Sequence, residues 1–169
     1  MNTTYILQGS NIGNRLEILE KSKNIIAQNI GLVEKESLLY ESEPWGFDCN
    51  NWFLNRVLQI KTDLSPQLLL KKLLQIEIQL GRVRNTAEKT YSSRSIDLDI
   101  LYFNLDIINE KDLEIPHPKI HLRKFTLLPL CDIAPNFVHP FFSLSNLKLL
   151  ENCNDQTQVR IFNPEFELL

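Results

Sequence analysis

Asp97-Leu98-Asp99-Ile100-Leu101-Tyr102-Phe103 reads as a strand, and its two carboxylates stand at i and i+2 ahead of an apolar run. Period-2 geometry puts Asp97, Asp99, Leu101 and Phe103 on one face, with the carboxylates roughly 6 to 7 Å apart at the strand's rim. Each charge raises the cost of ionising the other, and a hard cation with oxygen ligands relieves that cost. Taken alone, alternating acids are more often a solvated face. The surroundings shift the balance: Arg82, Arg84 and Arg94 precede the pair, and His117 and Arg123 follow it. Guanidinium forks match phosphate oxygens in shape and charge. Carboxylates for a metal beside arginines for phosphate point to phosphoryl-group chemistry.

Outward from this strand the chain alternates elements. Thr3 to Gln8 reads as a strand broken by Gly9-Ser10-Asn11-Ile12-Gly13, and a helix starts near Asn14 with Ile18, Leu19, Ile25, Ile26 and Ile30 on one stripe. Gly31 stops it. Leu32 to Glu41 and Trp52 to Thr62 read as two antiparallel strands around a loop at Pro44-Trp45-Gly46. Ser65-Pro66 starts a second helix, striped by Leu69, Leu73, Ile76 and Leu80 and ended by Gly81. The polar loop 82–95, carrying Arg84, Lys89, Tyr91 and Arg94, has the character of a lid. After the Asp97 strand come a hairpin at Ile115-Pro116-His117-Pro118 and a short helix from Arg123 toward Leu130. Strand, helix, strand, strand, helix, strand predicts an α+β, ferredoxin-like split βαβ fold: an antiparallel sheet with helices on one side. The expectation is a single domain over 1–169, with 141–169 as a C-terminal extension in which Phe141-Phe142 and Val159 to Phe162 form edge strands.

At 169 residues, net charge −3 and pI near 5.6, bulk attraction to nucleic acid or anionic lipid is not expected. Three scattered cysteines, Cys49, Cys131 and Cys153, fit reduced thiols, and no signal or membrane-spanning run is evident, so the expectation is a cytoplasmic protein. Neither G-x-x-x-x-G-K-[ST] nor G-x-G-x-x-G occurs, which leaves phosphate binding to arginines. Gly9 to Gly13 offers either an anion site at a helix N-terminus or a structural turn. His117 and His121 have the spacing of helical metal ligands, but Pro116 and Pro118 disfavour that helix, so no zinc site is expected. His117 either donates to phosphate or closes a turn, and His139 has no assigned role. Phe53 and Asn55 share a strand face, where an aromatic plane beside an amide suits a flat heterocycle; core phenylalanine with a satisfied asparagine is the alternative. Phe125 offers a second plane.

G-S-N-x-G at 9–13, Y-x-S-x-P-x-G at 40–46, F-L-N at 53–55, I-E-x-x-L-G-R-x-R at 76–84, S-R-x-I-D-L-D-I-L at 93–101 and I-P-H-P with R-x-F at 115–125 follow one another in order. From residue 5 to about 135 the chain thereby resembles the 6-hydroxymethyl-7,8-dihydropterin pyrophosphokinases of folate biosynthesis. The resemblance implies a ferredoxin-like monomer that moves a pyrophosphoryl group from ATP to the pterin hydroxymethyl oxygen and releases AMP. It implies two Mg2+ ions on Asp97 and Asp99, with Arg82 and Arg94 sharing the catalytic role. It places ATP on Glu77, Arg82, Arg84, Arg94, Ile100, His117 and Arg123, and the pterin on Ser42, Pro44, Trp45, Phe53, Asn55 and Phe125. Tyr91-Ser92-Ser93-Arg94 departs from the family's Trp-Gly-Pro-Arg, and Cys49-Asn50-Asn51 from its glutamine-containing turn. Two other classes compete: a non-catalytic nucleotide- or RNA-binding module on the same fold, disfavoured by the acidic balance, and a metal phosphohydrolase that would break down ATP without pterin.

Overall fold

The structure is a computed structural model that describes residues 1–81 and 95–166. Strand β1 (Asn2–Ser10) leads into helix α1 (Arg15–Asn29), whose first turn is capped by the Asn14 side chain accepting from Glu17 N–H at 3.1 Å. Gly9 and Ser10 therefore belong to the strand, and the turn is confined to the residues before Asn14. Strands β2 (Leu32–Glu36) and β3 (Tyr40–Ser42) both pair with β4 (Phe53–Thr62). The single strand expected over Leu32 to Glu41 is divided because Ser37 intervenes: its Oγ accepts from Val57 N–H at 3.0 Å, a side chain taking a ladder position.

Helix α2 (Pro66–Gln79) has proline in its first turn, Ser65 as its cap, and Leu69, Leu73 and Ile76 buried at helical spacing. Gly81, at φ +93, turns the chain away from its end. Strand β5 (Asp97–Phe103) follows, then a small hairpin of β6 (Ile108–Glu110) and β7 (Leu113–Ile115). The hairpin thus precedes Ile115 to Pro118, because Ile115 closes the ladder opposite Ile108 and the prolines cannot extend it. Helices α3 (Lys124–Ile133) and α4 (Asn146–Asn152) and strand β8 (Val159–Ile161) complete the described chain. Phe141 and Phe142 lie in a turn rather than a strand, since His139 Nδ1 accepts from both of their N–H groups at 3.2 Å. That histidine organises the turn.

The main sheet runs β5-β1-β4-β3-β8, with β2 also on β4 and all pairs antiparallel. With β2 and β3 taken as one interrupted strand, the order is fourth, first, third, second, the ferredoxin-like arrangement. Helices cover both faces, not one. Ile6, Leu58, Ile60, Leu98 and Ile100 pack with Ile26 of α1 and Leu69, Leu73 and Ile76 of α2, whereas Tyr5, Leu7, Val57, Leu101 and Tyr102 pack with Leu127 and Leu130 of α3 and Leu149 of α4. Each such aliphatic side chain contributes about 1.5 to 3 kcal/mol of burial. A β-bulge between Tyr5 and Ile6 shifts the β5 register and leaves Leu101 extra. Leu101 and Tyr102 therefore share one face and Phe103 moves to the other, so Phe103 does not follow Asp97, Asp99 and Leu101 as strict alternation predicts.

Candidate active site

Antiparallel register assembles the site from three strands. Asn55 of β4 and Asp97 of β5 both lie opposite Gly9 of β1, and Leu7 lies opposite Asp99 one step along. Ser42 of β3 lies opposite Phe53, and its Oγ accepts from Asn55 Nδ2 at 2.8 Å. This bond leaves Asn55 Oδ1 as an acceptor over Gly9, where a Cβ would stand 3.2 Å from that oxygen. Glycine keeps the floor open.

Above this floor is a cleft of about 490 Å³ lined by Leu7, Gly9, Ser42, Glu43, Trp45, Phe47, Phe53, Asn55, Asp97, Asp99, Arg123 and Phe125. Its aromatic side chains come from opposite sides: Trp45 and Phe47 from the loop before β4, Phe125 from α3. Phe47 stands edge-on to Phe53 at 6.1 Å. The Arg123 guanidinium lies 4.7 Å from the Trp45 ring centre and 5.5 Å from that of Phe125, a cation between two aromatic planes. Pro44 is in the same loop but not among the lining residues.

A second cleft, of about 710 Å³, opens beside it, lined by Leu70, Leu98, Asp99, Ile100, Glu110, Lys111, Asp112, Leu113, Glu114, His117 and Pro118. Asp99 lines both. Because β5 is an edge strand, its outer backbone groups face this second cleft. Glu77, only 1% exposed, lies under that edge and accepts from Leu98 N–H at 2.9 Å, between the two aspartates in sequence. It holds the strand that carries them.

His117 donates its backbone N–H to Leu101 O at 2.9 Å, and its Nδ1 accepts from Lys119 N–H at 3.1 Å. The neutral ring therefore carries its proton on Nε2, 4.0 Å from Asp99 Oδ2. Burial, reinforced by the Arg123 guanidinium, pulls its pKa down to about 4, while the Asp97 charge opposes them. His117 thus closes a turn with one nitrogen and points a donor at the carboxylate ledge with the other. Arg82, Arg84 and Arg94, together with Tyr91, lie outside the described residues.

The residues that sequence patterns did not single out are Leu7, Glu43, Phe47 and, above all, Gly9 as cleft floor. For Leu7 and Gly9 the signal is cross-strand register, which no local pattern carries; Glu43 and Phe47 sit in the loop between β3 and β4, where no periodicity marks which side chains face the cleft.

The family model described as 7,8-dihydro-6-hydroxymethylpterin-pyrophosphokinase (HPPK) matches residues 5–135. The chain is 39% identical over 142 residues to the 2-amino-4-hydroxy-6-hydroxymethyldihydropteridine pyrophosphokinase of Aquifex aeolicus, covering 84% of this chain and 86% of the other. Its counterpart from Bacillus subtilis is 41% identical over 134 residues, covering 79% and 78%. The folic acid synthesis protein FOL1 of Dictyostelium discoideum is 40% identical over 152 residues, 89% of this chain but 22% of that protein. In fold, the wild-type HPPK-DHPS of Plasmodium falciparum superposes with a TM-score of 0.74 at 18% identity over 89% of this chain, which spans 44% of that longer one. The matched stretch runs through the cleft floor, the Asp97-Asp99 ledge and the Trp45 and Phe125 walls alike, and on that match the chain belongs to the 7,8-dihydro-6-hydroxymethylpterin-pyrophosphokinase family.

Proposed function

We infer that this protein transfers the β,γ-pyrophosphoryl group of ATP to the hydroxymethyl oxygen of 6-hydroxymethyl-7,8-dihydropterin, a step of folate biosynthesis. The bond between Pβ and the bridging oxygen of the α-phosphate breaks, a bond from the pterin oxygen to Pβ forms, AMP leaves, and the hydroxyl proton passes to solvent. The observation that carries this reading is Asp99 lining both clefts, which puts the carboxylate pair where an acceptor in one and a donor in the other would meet.

The flat pterin suits the first cleft: Phe53 and Phe125 stack on it, Trp45 narrows the mouth, and Asn55 Oδ1, oriented by Ser42, accepts from a ring N–H. ATP suits the second, where Ile100 on the strand edge offers backbone groups to the nucleobase and His117 Nε2 faces the phosphates, with Arg123 meeting them from the wall of the first cleft in this proposal. Arg82, Arg84 and Arg94 complete the phosphate contacts in this proposal. Asp97 and Asp99 fit Mg2+, which keeps several waters and takes one or two carboxylates plus substrate phosphates; no group of three or more acidic, histidine or cysteine ligands occurs among the described residues. Two bound Mg2+ would neutralise phosphate charge and align the attack in line. The protein's own part is positioning in a pre-formed site. We further propose that it works as a cytoplasmic monomer; no helix among the described residues is long and apolar enough to cross a membrane.

Incubation with Mg-ATP, with and without the pterin, followed by separation of nucleotides tests the reaction. Pterin-dependent AMP and a pyrophosphorylated pterin are expected; pterin-dependent ADP, or ATP breakdown independent of pterin, would refute it.

A further inference from the structure

The family match ends at residue 135, yet the chain beyond it returns to the pterin cleft. Asp155 Oδ2 accepts from Lys124 N–H at 2.9 Å, at the first turn of α3 between Arg123 and Phe125. Within α3 no other side chain caps that end: Arg123, the N-cap residue, makes no side-chain capping bond. Asp155 is itself held, since Oδ1 accepts from Thr157 N–H at 2.9 Å and Thr157 Oγ1 at 2.8 Å.

A few residues on, the same segment grips both ends of the opposite wall. At the loop's start, Glu43 N–H donates to Gln158 O at 3.1 Å while its carboxylate accepts from Gln158 N–H at 2.7 Å. At its end, the Arg160 guanidinium stacks 4.7 Å from the Trp52 ring centre and donates to Glu41 Oε2 at 3.0 and 2.8 Å. Arg15 reinforces this corner by donating to Trp52 O at 3.0 Å and to Glu41 Oε1 at 2.6 Å. Strand β8 itself pairs with β3, Val159 opposite Ser42. Between these anchors the loop carries Trp45 and Phe47.

We propose that the segment Asp155 to Arg160 is a brace that sets the spacing between the two aromatic walls, making Asp155 and Arg160 positioning residues for the heterocycle; as a statement about substrate, this rests on the pyrophosphokinase reading above. Neither residue lines the cleft, so their effect passes through α3 on one side and loop 43–52 on the other. ATP suits the neighbouring cleft, whose lining comes from other elements, and of its proposed contacts Arg123 alone adjoins the braced helix end, so the brace acts mainly on the heterocycle.

The sequence supplies a reporter, because both tryptophans, Trp45 and Trp52, lie in the braced loop. In a Trp52→Phe background only Trp45 emits. Arg160→Ala in that background is expected to raise acrylamide quenching of Trp45, although Trp45 does not touch Arg160, with the circular-dichroism spectrum unchanged. In the otherwise native chain, Arg160→Ala and Asp155→Ala are each expected to raise the KM for pterin about five- to tenfold, the scale of one lost stack and ion pair or one lost cap, with kcat and the KM for ATP within about twofold. Asp155→Asn, which keeps one acceptor oxygen for Lys124 N–H but loses the one that Thr157 N–H uses, should raise the KM for pterin less than Asp155→Ala does. Unchanged Trp45 quenching, or KM values for both substrates rising by the same factor, would overturn the brace. If quenching rises but even the unaltered protein makes no AMP with pterin, the brace stands and the assigned reaction falls.

Discussion

Alanine at Gly9 isolates the cleft floor from the rest of the fold. The added methyl would meet Asn55 Oδ1 at 3.2 Å and the Phe53 ring at 3.9 Å; the ring is at ordinary contact distance, so it is the amide that must move by a few tenths of an ångström. The backbone at residue 9 needs no left-handed conformation, and the substitution reduces the freedom of the unfolded chain, worth about 0.4 to 1 kcal/mol of stability. Straining the Asn55–Ser42 bond offsets about as much, so net stability should change by no more than about 1 kcal/mol. Binding is another matter. Asn55 displaced from its substrate N–H leaves a buried polar pair unmatched, at about 1 to 3 kcal/mol, or roughly 5- to 150-fold. We expect pterin titrations at saturating Mg-ATP to show that rise in KM, while the KM for ATP stays within about twofold and the melting temperature within about 4 °C. A native pterin KM in a folded Gly9→Ala protein would refute the placement of the heterocycle over Gly9 and Asn55.

Asp97→Asn and Asp99→Asn should each lower pterin-dependent AMP formation by about 10²-fold or more without loss of fold, and raise the Mg2+ needed for half-maximal rate; near-native turnover would remove the pair from the chemistry. Tyr40→Phe deletes a hydroxyl that donates to Asp132 at 2.9 and 3.0 Å between β3 and the end of α3, and should cost about 1 to 2 kcal/mol, read as a lower midpoint in urea unfolding. His139 contributes to the pH dependence of stability alongside His117, since burial pushes its pKa down to about 4, with the His121 charge adding to the effect. Its unfolded value is near 6.5, so between about 6.5 and 4 the unfolded chain takes up a proton that the folded one resists, and stability falls with pH across that window. His139→Asn keeps an acceptor for Phe141 and Phe142 N–H but does not titrate, so its melting temperature should decline less steeply over that range; parallel curves would contradict the assignment.

Much of the architecture was legible because local chemistry repeats. Ser65-Pro66 and Asn14 announce helix starts, and the stripes Leu69, Leu73 and Ile76 name the buried face before any coordinates. What local patterns missed depended on partners distant in sequence. The bulge that moves Phe103 across the sheet arises from β1 pairing, and the division at Ser37 from a hydroxyl that reaches Val57. Helices on both faces were hidden because a helix pattern does not say which face of the sheet it covers, although Tyr5, Ile6 and Leu7 are all buried in β1. In the site, Asp97, Asp99, Phe53 and Asn55 could be paired by period within their own strands, whereas Gly9 acquires its role only when β1 is laid between them.

The double-sided sheet also explains where the chemistry sits. With α1 and α2 on one face and α3 and α4 on the other, the middle of the sheet is filled by side chains, and the two clefts open toward the strand ends. Asp97 and Asp99 occupy such an end on an edge strand, so their carboxylates line the first cleft while the outer backbone of the same strand borders the second. Glu77 pins that strand between the two acids, and the bulge beyond Ile100 lets Leu101 and Tyr102 anchor it in the core. The ledge is therefore held from behind, with the two clefts in front. Rigid placement matters most where the protein contributes position rather than a proton acceptor. On this argument Glu77→Gln, which leaves an oxygen for Leu98 N–H, should retain far more activity than Glu77→Ala, which frees the strand edge; equal losses in the two would mean that the Glu77 charge acts on the nucleotide directly.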